Sequence, residues 1–399
     1  NGGFVGQDGL DAPDPPTGVA GTAGELSVSV AFTAPSDVGT SAITGFVAQV
    51  STDDTAYSAG SNTGTSSPIV VSSLAAGTAA TAKVWAINAY GTSSPSSVSA
   101  SFTPSAASRG IFAGGSIGTG QSTVFNTIQY FTISTTGNAL DFGDLSAVRR
   151  GIGACGSSTR AVFAGGSNAS ATPVDTIEYV TIANTGNTTD FGNLSGNMGY
   201  ANAASNATRG IIFLSLATDT IEYITIANTG NTTDFGNLAL VTNFVELVAS
   251  TTRAVLAGGY DANDAYTNVI SYITIANTGN TSDFGDLTVG RYGIGGCSSN
   301  TRAVFSGGDT SGGRVNTIDY ITIASAGNAS DFGDLSAVKY YTAATNNATR
   351  GVIGGGLSGT VLNVMEYITI ASTGNVTDFG DLLSNNALPS ATSSAHGGL

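Results

Sequence analysis

The sequence predicts an all-β fold, a small β-sandwich followed by a six-bladed β-propeller, and three observations carry that prediction. The first is a repeat. Residues 159 to 194 read TRAVFAGG and then, after a short loop, DTIEYVTIANTGNTTDFGNL, and the phrase recurs six times. It opens on Arg109, Arg160, Arg209, Arg253, Arg302 and Arg350 and closes on the DFG aspartates Asp141, Asp190, Asp234, Asp283, Asp331 and Asp378. The arginines are 51, 49, 44, 49 and 48 residues apart, and a period of about 50 in strand-like segments is the signature of a propeller array. The second is composition. With 55 glycines, 9 prolines and much Thr, Ser, Ala and Asn, the chain suits short strands and many turns rather than helices. The third is the first hundred residues, where short alternating runs stand in place of the long repeat.

The 399 residues, 41% hydrophobic and 10% charged, suffice for two domains with their own cores. No apolar run reaches the length of about 18 residues that a membrane helix needs. The opening NGGFVGQDGL has no basic region or long apolar core and does not read as a signal peptide. Because the chain opens on Asn1, a processed or truncated N-terminus is expected. A net charge of -15 argues against general nucleic-acid binding. Lys83 and Lys339 are the only lysines, and such an acidic, lysine-poor, strand-rich composition points to a setting outside cells.

Residues 1–10 are read as an attachment or flexible segment, since termini fray unless tied down, although Phe4, Val5 and Leu10 are unusual in a solvated tail. Residues 11–104 are the sandwich. Alternation in LSVSVAF (26–32), ITGFVAQV (43–50), PIVVSSL (68–74) and TAKVWAINAYG (81–91) predicts short antiparallel strands. The run SSLAAGTAATAKVWAINAYGTSSPS (72–96), with Leu74, Gly77, Thr78, Val84, Ala86, Asn88 and Gly91 in the late-strand pattern, resembles the second half of a fibronectin type III domain. Phe32 replaces that family's core tryptophan and Ala80 its corner tyrosine, so the resemblance is to a divergent member. It implies a spacer without a site. Residues 105–108 are a linker.

Residues 109–399 hold the repeats. In the second unit the strands are a (148–157), b (160–166), c (176–183) and d (188–194). Ile177, Tyr179 and Thr181 of strand c face one way, and Glu178, Val180 and Ile182 the other, so both faces need cover. Every c-to-d joint carries TGN or AGN, where Gly then Asn suits a tight turn with positive φ. The N-x-S/T sequons there, such as Asn187 and Asn231, are read as turn chemistry. Gly-Gly closes strand b in five units, as in Gly165-Gly166, and a tyrosine sits in strand c; in these features the unit resembles the kelch repeat and the propeller of galactose oxidase. Strand d carries the Phe of DFG where that family usually has tryptophan, and no kinase motif accompanies DFG. The first unit lacks a strand a and the last leaves one over, so residues 387–396 are expected to complete the first blade. The third unit is the outlier, with Leu214-Ser215 for Gly-Gly and its b-to-c loop cut to Ala217-Thr218. A lower rim is expected there.

The repeated arginines recur in every unit and are read as structural, paired with carboxylates or turn carbonyls between blades. Beyond them and Lys83, the basic residues are Arg149, Arg150, Arg291, Arg314 and Lys339, in d-to-a connections or a b-to-c loop. Tyr200, Phe244, Tyr292, Tyr340 and Tyr341 accompany them at the start of strand a, the innermost strand. These ten residues are the expected ring around the channel mouth, suited to a sugar by stacking or to an acidic group. The opposing expectation is that they only plug the channel.

No catalytic residue, metal site or cofactor is assigned. His396 is the sole histidine, so neither the copper site of galactose oxidase nor a histidine triad can be built. Asp261, Asn263 and Asp264 miss the EF-hand spacing, and a carboxylate pair for glycoside hydrolysis stays open. Cys155 and Cys297 occupy equivalent places in opposite blades and are expected to be free, buried thiols. The degenerate fibronectin-like domain with Ser/Thr/Asn/Gly-rich repeats resembles structural, fibre-type proteins of marine cyanobacterial phages. That implies a non-enzymatic virion protein that holds other virion proteins through its N-terminal segment or first domain, as a homo-oligomer in some assemblies, and displays a face for a cell-surface glycan. A secreted adhesin or lectin, and a ligand-free decoration, are the alternatives.

Overall fold

The computed structural model describes residues 11–117, 123–215, 218–261 and 263–399. The expected attachment segment 1–10, parts of the loops 116–125 and 260–267, and Ala217 of the shortened loop lie outside the described residues. The chain is all-β, and every described element is a strand. It divides into two compact units, Asn1–Ala107 and Ser108–Leu399, so the division falls within the expected linker.

The described residues of the first unit form seven strands in two antiparallel sheets. One joins Thr17–Gly24, Ser27–Thr33 and Ile69–Ser72; the other joins Gly60–Gly64, Gly45–Ser51, Thr81–Asn88 and Gly91–Thr92. Val28, Val30, Val71, Phe46, Val50 and Val84, alternate residues from both sheets, share one core. Phe32 lies in it with its ring centroid 4.8 Å from that of Phe46. Thr17–Gly24 and Gly60–Gly64 escaped the sequence reading because they carry mostly Gly, Thr and Ser, with little apolar alternation to detect. Ser93, Ser96 and Ser99 recur every third residue, and their hydroxyls accept the amides of Ala86, Val84 and Ala82 at 2.9–3.0 Å. This covers the outer edge of Thr81–Asn88 with serines rather than another regular strand.

Among its described residues the second unit contains six four-stranded antiparallel sheets, none closed on itself. Sheet 2 shows the order: Gly153–Gly156 (a), Arg160–Ala164 (b), Val174–Thr181 (c) and Thr189–Met198 (d). Sheets 3 to 6 begin at Tyr200–Ser205, Glu246–Ala249, Gly295–Ser298 and Ala343–Asn346. Sheet 1 takes its strand a from the far end of the chain, where Ser390–Ser393 pairs antiparallel with Arg109–Ala113. The a strands touch one another in a cycle, from sheet 1 through sheet 6 and back to sheet 1.

The apolar residues on both faces of each sheet are buried between sheets. Ile111, Ile128 and Phe142 of sheet 1 pack with Phe163, Val180 and Ile182 of sheet 2. Phe112 and Phe131 on the other face of sheet 1 pack with Val352, Met365 and Phe379 of sheet 6. Four further cores join the remaining neighbours. Burial of this kind contributes about 1.5–3 kcal/mol for each large side chain.

Two repeated polar contacts fix the spacing between sheets. Each strand-b arginine lies over the strand-c tyrosine of its own sheet, 4.1–4.6 Å from the ring centroid. Its guanidinium donates to a carbonyl of the next sheet, from Arg109 to Ile182 and so on around to Arg350 and Ile133, at 2.7–3.0 Å. The partner is thus a carbonyl in all six cases. The TGN joint works in the opposite direction. Its glycine takes positive φ, +154 to +158°, but its asparagine serves the neighbouring sheet by accepting an amide after DFG. Asn187 accepts Asp144 N, and Asn138 accepts Asp381 N, both at 3.0 Å.

The glycine of DFG is what allows this approach. A Cβ on Gly285 would stand 2.4 Å from the Gly327 carbonyl oxygen of the next joint, at φ +147°. Gly196 has open space and an ordinary φ. Gly285→Ala is expected to lose about 1–3 kcal/mol of stability and Gly196→Ala to stay within about 0.5 kcal/mol, as measured by urea unfolding.

Candidate functional site

The connections entering each sheet and the b-to-c loops emerge together and pair. Arg150 bridges Ser167, Tyr292 bridges Asp309 and Tyr340 bridges Leu357. The residues expected at the channel mouth lie on these segments, yet they divide into two groups.

Arg149, Arg291 and Lys339 do not face the mouth, which corrects the expected ring. They are at most 2% exposed and form ion pairs with the strand-c acids Glu178, Asp319 and Glu366. Arg291 lies 2.9 Å from Asp319, and Lys339 lies 2.6 Å from Glu366. The same carboxylates accept the amides of Ser146, Thr288 and Ser336 and so hold the incoming connection in place. Desolvation penalises an isolated buried carboxylate, and in these three sheets a cation of the chain offsets it; the equivalent buried Glu222 of sheet 3 has Met198 at the cation's position and accepts the amide and hydroxyl of Ser195 instead. Where strand c carries a neutral Ser271 or Gln129, the equivalent residue on the connection is a neutral Thr242 or Asn386. That pairing was visible in the aligned repeats, but only across two different strands. Arg291→Met is expected to cost about 3–5 kcal/mol by stranding Asp319. Adding Asp319→Asn should restore at least half of the loss in a urea titration.

The aromatic residues do come together. Phe244 has its ring centroid 4.4 Å from Tyr200, 5.7 Å from Tyr292 and 5.9 Å from Tyr341, and Tyr340 stacks on Tyr341 at 4.1 Å. Tyr260 and Tyr266 join them from a b-to-c loop, 5.3 and 5.7 Å from Tyr292. Arg314 lies over Tyr340, 4.8 Å from its centroid. Arg150 is half-buried.

Beneath the cluster lies a cavity of about 100 Å³ lined by residues of all six a strands or their approaches. Its upper ring is one structural position repeated six times: Gly151, Tyr200, Phe244, Gly293, Tyr341 and Leu388. The two glycines make room for large neighbours. A Cβ on Gly151 would meet the Tyr200 ring at 2.5 Å, and one on Gly293 the Tyr341 ring at 3.0 Å. Phe244, Tyr341 and Leu388 are held at φ +55 to +57°. Bulky residues rarely occupy that region, at a cost of about 1–3 kcal/mol each.

The next ring down reads Gly153, Asn202, Glu246, Gly295, Ala343 and Ser390, the first residues of the a strands or their registered equivalents. Six strands converge here, so the position is small everywhere but at Asn202 and Glu246. Gly296 beside it makes space, since a Cβ there would stand 2.7 Å from Glu246 Cγ. Glu246 Oε1 accepts Gly296 N at 2.8 Å. Its carboxyl faces the cavity, enclosed by protein, and desolvation pushes its pKa up to about 8, opposed by the Gly296 hydrogen bond. Of the described residues lining the cavity, Glu246 is the only acid, and no Lys, Arg or His is among them.

A second, smaller cavity of about 50 Å³ continues below and shares wall residues with the first. His396 closes on it, with Nε2 2.9 Å from the Gly156 carbonyl oxygen, and burial lowers its pKa to about 4. Cys155 and Cys297 are free and buried, with thiol pKa values pushed up to about 12 by burial. Asp261 accepts the amides of Asn263 and Ala265 in its own loop. Among the described residues no cluster of three or more His, Cys, Asp and Glu side chains is arranged to hold a metal ion.

No protein-family model matches the chain, and no curated protein matches it.

Glu246 has a consequence for stability. Unfolded, it returns to its ordinary value of 4.5, against about 8 when folded. Between these values the native state keeps a proton that the unfolded chain has released, so its contribution is lost as pH rises through that window. Glu246→Gln is therefore expected to gain melting temperature relative to wild type between about pH 5 and pH 8.5 in parallel thermal scans.

Proposed function

We propose that the protein is a non-enzymatic virion fibre-type protein whose second unit is a six-bladed, kelch-like propeller, with a host-glycan face at the tyrosine-lined mouth of its axis. The first unit is then a fibronectin-III-like spacer that, with the N-terminal segment, contacts other virion proteins. The carrying observation is the cluster of Tyr200, Phe244, Tyr260, Tyr292, Tyr340 and Tyr341 over the axial cavity. The cyclic contacts of the a strands and the pairing of the first and last repeat strands support the propeller reading.

Aromatic faces with phenol hydroxyls suit the apolar face and hydroxyls of a sugar ring. With Arg149, Arg291 and Lys339 engaged in buried ion pairs, a neutral sugar fits the mouth better than an acidic one.

On a glycan array, the wild-type chain is expected to select a neutral oligosaccharide. Tyr292→Ala with Tyr340→Ala should reduce that binding at least tenfold without lowering the midpoint of urea unfolding by more than a tenth. No selection by the folded wild type would overturn the receptor reading in favour of a ligand-free decoration.

A further inference from the structure

We propose that the axial cavity beneath the tyrosine cluster binds an alkylammonium group, a primary or methylated amine whose positive charge meets Glu246. This rests on the reading of the mouth as a ligand face and assigns to the cavity below it a cationic group distinct from the neutral sugar at the mouth.

The first argument is the missing countercharge. Glu178, Asp319 and Glu366, all buried more completely than Glu246, each have an Arg or Lys of this chain. Glu222 has the amide and hydroxyl of Ser195. Glu246 has Gly296 N on one oxygen, and among the described residues it forms no ion pair. It occupies a position where the other five sheets place Gly, Ala, Ser or Asn, and it faces open space rather than a packed interface.

The second argument is the wall. Tyr200, Phe244 and Tyr341 line the cavity above the carboxyl, and aromatic faces attract ammonium groups, most strongly where water is excluded. Thr342, 6% exposed and also part of the lining, has a hydroxyl Oγ1 without a hydrogen-bond partner. A primary ammonium can donate to that hydroxyl as well as to Glu246.

The third argument is exclusion. Once ionised, a carboxyl group with no cation in the described lining repels anions. At about 100 Å³ the cavity is smaller than the ~150 Å³ that accommodates a benzene molecule, so a whole sugar ring does not enter, while a substituent of a few heavy atoms does. The other titratable groups around Glu246 are the Cys297 thiol on the adjoining strand and the Tyr200 and Tyr341 phenols above, with His396 beyond the shared wall residues. Binding of a permanent cation therefore draws its pH dependence from Glu246 as it ionises.

The test titrates the full chain with tetramethylammonium and methylammonium by calorimetry, with tert-butanol as the uncharged isostere. Saturable binding of at least one cation is expected, at least tenfold weaker at about pH 6 than at pH 8.5 and at least tenfold weaker in Glu246→Gln. No saturable tert-butanol binding is expected. The pH series on wild type keeps the test decisive should the variant not fold. Neither cation binding, or binding that is equal in folded Glu246→Gln, independent of pH or matched by tert-butanol, would overturn the proposal. Glycan selection without ammonium binding would sink this inference and leave the mouth reading standing. Ammonium binding without glycan selection would do the reverse.

Discussion

The structure depends on one constraint: a four-stranded sheet with apolar residues on both faces cannot leave either face in water. Ile128 and Phe131 of one strand point into different cores, one shared with sheet 2 and the other with sheet 6. Each sheet therefore needs two neighbours, and a finite row of such sheets would leave two faces bare. A cycle leaves none, which is why the pairing of Ser390–Ser393 with Arg109–Ala113 matters beyond its own hydrogen bonds. It completes sheet 1, and with it the last two interlayer cores.

Polar contacts then set how closely the sheets approach. The arginine reaches forward to the next sheet's carbonyl, and the TGN asparagine of that next sheet reaches back to the amide after DFG. Both contacts are satisfied in every sheet, so the spacing is uniform even though the loops differ in length. The glycine of DFG serves the same end by leaving out the one atom that would hold the joints apart.

Convergence of the six a strands has the opposite effect on composition. Near the axis there is little room, and the chain uses Gly, Ala and Ser almost throughout. The exceptions mark the site. Large rings fit at Tyr200 and Tyr341 because glycines stand beside them, and Glu246 fits because Gly296 does. Three bulky residues are held in the left-handed backbone region at the same level. Strain and an enclosed carboxyl are both unfavourable for folding alone, and their coincidence at one cavity is the basis for giving that cavity a role.

The sequence by itself determined the all-β character, the number of repeats, and the phase that leaves a strand a for the C-terminus to supply. Each of these is local periodicity, repeated often enough to read. It also singled out Tyr200, Phe244, Tyr292, Tyr340 and Tyr341, because aromatic residues stand out in a chain of small ones. Only the tertiary structure decided the fate of the charges. Arg149, Arg291 and Lys339 look like surface cations until the strand-c acid that neutralises each is brought against it from another strand. Glu246 looks like an ordinary acid in an irregular strand until six strands converge around it. Charge acts through space and dielectric rather than along the chain, so partners and burial are known only once the sheets are assembled.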